Sequence, residues 1–309
     1  MKIMNPKVAA IALSAGLVAS SVHAQTKLTV GSAGSAVASL FAAKEEGFFA
    51  RRGIDATIVM VKLDPDMPAA LLAGSLDIAV VSAPTFFQAV DGGLDLVVVL
   101  GGTATSKRPT DEAVIAGTGT GISEAKDFVR RKVGVPGIGA ALHVLFRYWL
   151  TQRGVDFHQV NFAEASMPRM RDLLSAKILD AAVAVNPFIG QMTDAGVGYI
   201  AVPLSGQIPS GKPVVMYAAT REWASHHGKE LALFREAIAE GAAFVLSDPD
   251  KTRDDINVYM KLPPQVMKVA PLSDQSPAID SDDLAWWFGV MRRQDMLTRD
   301  LDVKTLLVR

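Results

Sequence analysis

The sequence predicts an α/β protein of two lobes, each a mainly parallel sheet flanked by helices, joined by a two-segment hinge. Three observations predict it. Similar segments recur in the same order about 103 residues apart between residues 29 and 187, a period far longer than a solenoid repeat and therefore the duplication of a whole lobe. Within each copy, short apolar runs of strand length alternate with helix-patterned stretches, the sign of parallel strands covered by helices on both faces. Half of the 309 residues are hydrophobic and charges of both signs are mixed along the chain, which is enough apolar material for real cores at this length.

The elements follow in order. Lys2 and Lys7 precede a short apolar run, Val8 to Ser20, and Val22-His23-Ala24 puts small residues where a signal peptidase reads. Residues 1–24 are thus expected to be a secretory signal too short to span a bilayer, with the mature, soluble periplasmic chain starting at Gln25. Loss of the two lysines takes the net charge from −1 to about −3. Thr29-Val30-Gly31-Ser32-Ala33-Gly34 and Lys132-Val133-Gly134-Val135-Pro136-Gly137 each read as a strand entering a glycine loop before a helix. Arg52-Gly53-Ile54-Asp55 and Arg153-Gly154-Val155-Asp156 then close that helix with a glycine cap. The third match sets residues 71–84 against 173–187, one residue longer, with Asp77 to Pro84 and Asp180 to Pro187 equally spaced. A strand from Leu94 to Leu100 leads through Gly101-Gly102-Thr103 to a first crossing, and Ser205 to Pro213, rich in turn formers, is a second. Helical patterns over Glu222 to Leu246, Lys251 to Met260 and Asp282 to Met296 form a tail expected to pack on the first lobe. The expected lobes are 25–104 with 212–309, and 105–211.

Several functions are excluded by what the chain lacks. It contains no cysteine, so it has no disulfides, thiolate sites or lipid anchor on cysteine. No basic stripe suggests nucleic acid. There is no Gly-x-Ser-x-Gly elbow, Gly211-Lys212 lacks the rest of a phosphate loop, and the glycines at 134–139 miss the dinucleotide spacing. His226-His227 are adjacent, and His143 and His158 lack acidic partners in sequence, so neither a metal nor another cofactor is expected. Trp286-Trp287-Phe288 reads as helix packing, and Lys107-Arg108 as a solvated pair at the crossing.

In sheets of this kind ligands sit at the carboxyl ends of the strands, where loop amides and helix starts point at the solute. The candidate ligand residues of the first lobe are Ser32, Gly34 and Ser35, which open the first helix, and Ser82 and Thr85, which flank Pro84. Those of the second are Gly137, Gly139 and Ala140 at a helix start, with Asn186 and Phe188 flanking Pro187. Each has an ordinary structural reading as well: Ser35 as a helix cap, the glycines as a strand-to-helix turn, Asn186 as a turn former. Asp64-Pro65-Asp66 reads more readily as a helix start than as a contact for a cationic group.

With Lys44-Glu45-Glu46-Gly47-Phe48-Phe49 before Arg52-Gly53-Ile54, with Leu72-Ala73-Gly74-Ser75-Leu76-Asp77 and with Lys132-Val133-Gly134-Val135, the chain resembles the nitrate, sulfonate and taurine type of ABC-transporter substrate-binding protein. The resemblance implies a type II periplasmic-binding-protein fold that closes by a hinge, a small-molecule solute, a membrane permease as partner, a monomer, and no catalysis. Ala176 replaces the glycine common before the second-lobe strand, and Asn186-Pro187-Phe188 stands where many relatives carry a bulkier aromatic or acidic residue. The solute is therefore not carried over. A periplasmic sensor module and an exported enzyme on the same fold are the alternatives.

Overall fold

The computed structural model describes residues 25–106, 108 and 111–308; the expected signal, residues 1–24, lies outside the described residues. In the first lobe β1 (Thr26–Ser32), α1 (Ala38–Glu45), β2 (Ile54–Met60), α2 (Met67–Leu72), β3 (Ile78–Ser82), α3 (Ala83–Asp91) and β4 (Leu96–Ala104) succeed one another. The second lobe begins with β5 (Glu112–Gly117). It then repeats the order as β6 (Lys132–Val135), α4 (Ala141–Gln152), β7 (Asn161–Glu164), α5 (Met167–Ser175), β8 (Ala181–Val185), α6 (Phe188–Asp194) and β9 (Gly198–Val202). The chain returns through β10 (Pro213–Thr220) and ends in α7 (Arg221–His226), α8 (Gly228–Ser247), α9 (Pro249–Met260), α10 (Pro264–Lys268) and α11 (Ser281–Arg292).

The two five-stranded sheets have matching orders, β2-β1-β3-β10-β4 and β7-β6-β8-β5-β9. Both are mixed. β1 pairs parallel with β2 and β3, and β6 with β7 and β8, whereas β10 and β5 run antiparallel to both their neighbours. The reversed strand in each sheet is thus the one arriving from the other lobe. β4 leaves at the crossing end and β10 enters at that same end, so Pro213 pairs with Ala104 and the two run opposite ways. The crossings are bonded to each other: Thr105 N donates to Lys212 O at 2.8 Å, Gly211 N to Thr105 O at 2.7 Å, and Lys212 N to Thr105 Oγ1 at 2.9 Å.

The duplication is reproduced atom for atom where it matters to folding. Asp77 accepts from Thr29 N at 2.7 Å and Asp180 from Lys132 N at 2.8 Å, each tying the start of the central strand, β3 or β8, to its neighbour β1 or β6. A Cβ on Gly31 would lie 2.4 Å from a Leu76 methyl, and one on Gly134 2.5 Å from a Leu179 methyl. These pairs align without a gap, so the extra residue assigned to the third match disappears. Ala176 is the C-cap of α5, as Ala73 is of α2. The left-handed position beyond it is held by Gly74 in one lobe and Lys177 in the other, at φ of 66° and 56°. The residue departing from the glycine pattern is therefore Lys177, at a cost of about 1 kcal/mol.

α8 buries Leu231, Phe234, Ala237, Ile238, Gly241 and Val245, the three-and-four spacing of a core-facing stripe. Gly241 lets α1 approach: an added Cβ would stand 2.3 Å from Ser39 O, a backbone atom that cannot rotate away. Gly241→Ala should therefore cost about 1–3 kcal/mol by overpacking, read as a lower urea midpoint at unchanged slope. The tail packs on the first lobe as expected, and its last helix also reaches the second. α8 and α9 pack on α1, but α11 bridges both lobes. Trp287 Nε1 donates to Pro213 O at 2.5 Å, Phe288 meets Phe87, Trp286 meets Tyr148 of α4, and Gln294 Nε2 donates to Val144 O at 3.1 Å. One apolar cluster accordingly runs from Phe87 and Val98 through Trp287 to Phe146 and Phe128.

Candidate ligand cleft between the lobes

A cleft of about 390 Å³ opens at the carboxyl edges of the two sheets. Its floor and walls are largely apolar: Val80, Val214 and Val215, Val185 and Phe188, with Tyr259 and Met260 of α9. Ser32 to Ala36, Lys62, Asp64 and Ser82 supply the first lobe's polar atoms, facing Ala140 to Leu142 and Ser166 of the second.

Of the expected residues, Ser32, Gly34, Ser35, Ser82, Ala140 and Phe188 line this cleft. Ser32 Oγ is turned back onto Gly34 O at 3.0 Å. Ser35 does not open α1, which starts at Ala38 behind a run of bends. The cap comes from 236 residues away: Gln275 Oε1 accepts from Ser39 N and its Nε2 donates to Ala36 O, both at 3.1 Å. The loop is thereby left free of capping duty, and the amides of Gly34, Ser35 and Ala36 have no partner among the described residues.

In the second lobe α4 starts at Ala141 with Ala140 as N-cap and no side-chain cap, so first-turn amides stand uncompensated at the cleft wall. Gly137 and Gly139 are not among the described lining residues. Gly137 is covered by Pro65, whose Cδ would lie 3.0 Å from an added Cβ. Gly139 N donates to His143 Nδ1 at 2.8 Å, and Gly139 O accepts from Gln88 Nε2 of the first lobe at 2.9 Å. His143 thus acts as the acceptor that shapes the α4 start. Burial, aided by the nearby Arg147 charge, pushes its pKa down to about 3, so the ring is neutral with its proton on Nε2.

Ser82 and Thr85 turn their hydroxyls onto Asp64. Ser82 N and Oγ donate to Asp64 Oδ1 and Oδ2 at 2.8 and 2.7 Å, and Thr85 Oγ1 to Oδ2 at 2.5 Å. Thr85 is buried beneath the cleft, 5% exposed. Asp64 does begin a helical turn, Asp64–Asp66, as its sequence suggests, but the same turn carries its carboxyl to the cleft. The available signal was its place in the loop after β2, at the ligand edge. Asn186 precedes a cis Pro187 and is not among the described lining residues; Phe188, opening α6, is.

Residues 23–258 match the model of the NMT1-like family. The chain belongs to the NMT1-like family. Among solved structures, this NMT1-like protein is similar to the periplasmic aliphatic sulphonate binding protein SsuA from Escherichia coli, at 18% identity and a TM-score of 0.72, over 91% of this chain and 97% of that one. It is similar also to the alkanesulfonate-binding protein SsuA from Xanthomonas axonopodis pv. citri bound to MOPS (17%, 0.76, 93% and 98%). The periplasmic nitrate-binding protein NrtA from Synechocystis PCC 6803 is a third (17%, 0.75, 91% and 84%). At these identities the likeness is one of fold: two lobes of the periplasmic-binding-protein type. No curated protein matches the chain significantly. Among the described residues no helix is long and apolar enough to cross a membrane.

Proposed function

We propose that this NMT1-like protein is the periplasmic solute-binding component of an ABC importer. It captures a small anionic or polar solute, of the size of a sulfonate, nitrate or short carboxylate, and delivers it unaltered to a membrane permease. The observation that carries the reading is the uncapped start of α4 facing the partnerless amides of Gly34 to Ala36 across an apolar cleft. Oriented amides and helix starts hold negative charge without an arginine, and the apolar walls suit a short carbon skeleton better than a sugar. The lobes, 25–104 with 212–309 and 105–211, close by rotation about the paired crossings at Thr105 and Lys212. Contacts from both sides then favour the closed, permease-competent form. The protein works as a soluble monomer after removal of residues 1–24 and performs no chemistry.

Thermal-shift screening over sulfonates, small carboxylates, nitrate and aromatic acids tests this. A solute present at about 100 times its Kd adds about 2.7 kcal/mol to the folded state, a rise in Tm of several degrees. Scattering should show compaction, and the solute should be recovered unchanged. Tight binding of a neutral sugar or a polyamine, or recovery of an altered solute, overturns the proposal.

A further inference from the structure

Anion capture leaves one feature of the cleft without a role: among the described lining residues Asp64 is the single acid, facing the same space as the uncapped α4 start. It is rigidly aimed. Ser82 N reaches one carboxyl oxygen, while Ser82 Oγ and Thr85 Oγ1 converge on the other. Both hydroxyl-bearing residues are buried and Ser82 Oγ also accepts from Thr85 N at 3.4 Å, which directs its own proton away from that amide. An ionised carboxyl offers about four acceptor positions. Three are filled from the lobe itself, and the one remaining is on Oδ1. Burial raises the carboxyl's pKa despite these three donors, so a further donor brought into the cleft relieves a desolvated group, whereas a bare anion there adds a like charge.

The two walls are therefore of opposite polarity, acceptor in the first lobe and amide donors in the second. We infer that Asp64 determines specificity in this cleft, and that the solute carries an amine or hydroxyl donor, a short carbon skeleton away from its acidic head. This rests on the anion-capture reading and narrows it. Nitrate and simple alkanesulfonates supply only the acidic half. Lys62, the single base among the described lining residues, forms no ion pair or hydrogen bond with this carboxyl, whose donors are Ser82 and Thr85.

The test is calorimetry on the mature chain with matched probes: ethanesulfonate, 2-hydroxyethanesulfonate and 2-aminoethanesulfonate, and the corresponding propionate, 3-hydroxypropionate and 3-aminopropionate. In a series that binds, a donor-bearing member should bind at least roughly tenfold tighter than the donor-free one, because a site built to hydrogen-bond a polar group rejects the analogue lacking it. Asp64→Asn should reduce that ratio to within about threefold while the acidic head is still bound. The wild-type comparison stands by itself if the Asn variant does not fold. Equal affinities within a binding series, or a preference preserved in a folded Asn variant, overturn the role of Asp64 and leave anion capture standing. Binding of no acid in either series overturns anion capture and the inference with it.

Discussion

Glu112→Gln and His143→Leu should tilt the dependence of stability on pH in opposite directions, by about 3 and about 5 kcal/mol over their respective windows. Glu112 stands where the chain enters the second lobe, and Ser205, just before the return crossing, closes on it. Glu112 N donates to Ser205 Oγ at 2.6 Å, and Ser205 Oγ lies 2.5 Å from Glu112 Oε2. Burial pushes this carboxyl from 4.5 up to about 7; the Ser205 bond and Arg108 oppose the rise, while Asp111 and Asp274 add to it. An acid that keeps its proton longer when folded contributes its full stability below the unfolded value, and loses it as pH rises through the folded one. The Glu112 contribution therefore falls between pH 4.5 and about 7. His143 has the mirror behaviour. Burial and the Arg147 charge hold it neutral down to about 3 from an ordinary 6.5, so its contribution is complete above pH 6.5 and is lost on acidification toward 3.

Where the windows overlap, one slope of about 1.4 kcal/mol per pH unit cancels the other, so this pair adds no net slope to the wild-type curve. Relative to wild type, Glu112→Gln leaves the histidine limb uncompensated, so its stability gains with rising pH until about pH 6.5. His143→Leu leaves the carboxyl limb uncompensated, so relative to wild type its stability falls from about pH 4.5 to about 7. The leucine variant also strands Gly139 N, which lowers the whole curve without changing its slope. Asp64 and Asp255, raised by burial as well, are common to all three proteins and drop out of the comparison. Urea denaturation between about pH 4 and about pH 8 reads the result, and three parallel curves would refute both assignments.

What could be read from the sequence was what local chemistry encodes. The duplicated strand-loop-helix order carried the architecture, because each copy holds its own Gly31–Leu76 or Gly134–Leu179 contact and its own Asp77 or Asp180 anchor. The reversed strands β5 and β10 follow from where the chain crosses, which the composition of Ser205 to Pro213 marked. Other features depend on partners far along the chain. Nothing near Ser35 announces that Gln275 caps α1 in its place, and nothing near Gln294 announces a bond to α4 of the other lobe. The site was half legible for the same reason. Loop positions at the strand ends led to residues that line one cleft, whereas nothing near Ser82 and Thr85 announces that their hydroxyls meet a carboxyl eighteen residues before Ser82.

Gly137→Leu should weaken solute binding tenfold or more, about 1.4 kcal/mol or above, without unfolding either lobe. Gly137 lies in the second lobe against Pro65 of the first, where a Cβ alone would stand 3.0 Å from Pro65 Cδ, 3.1 Å from Ala140 Cβ and 3.2 Å from Pro65 Cγ. Alanine needs those neighbours to give by a few tenths of an ångström. Leucine must also place three further carbons in space that Pro65 fills. Proline holds the Asp64–Asp66 turn stiffly, so the turn moves as a unit and carries Asp64 with it, or the lobes separate and the nearby Gln88–Gly139 bond is lost. Either response reaches the cleft. The cores behind β3 and β6 are untouched, so the strain is released at the junction rather than by unfolding. A series through alanine, valine and leucine should therefore give graded losses of affinity, with scattering profiles that become more extended. The probe is whichever acid gives the largest thermal shift. Undiminished affinity in a folded Gly137→Leu protein would show that the two lobes do not meet at Pro65 when solute is bound.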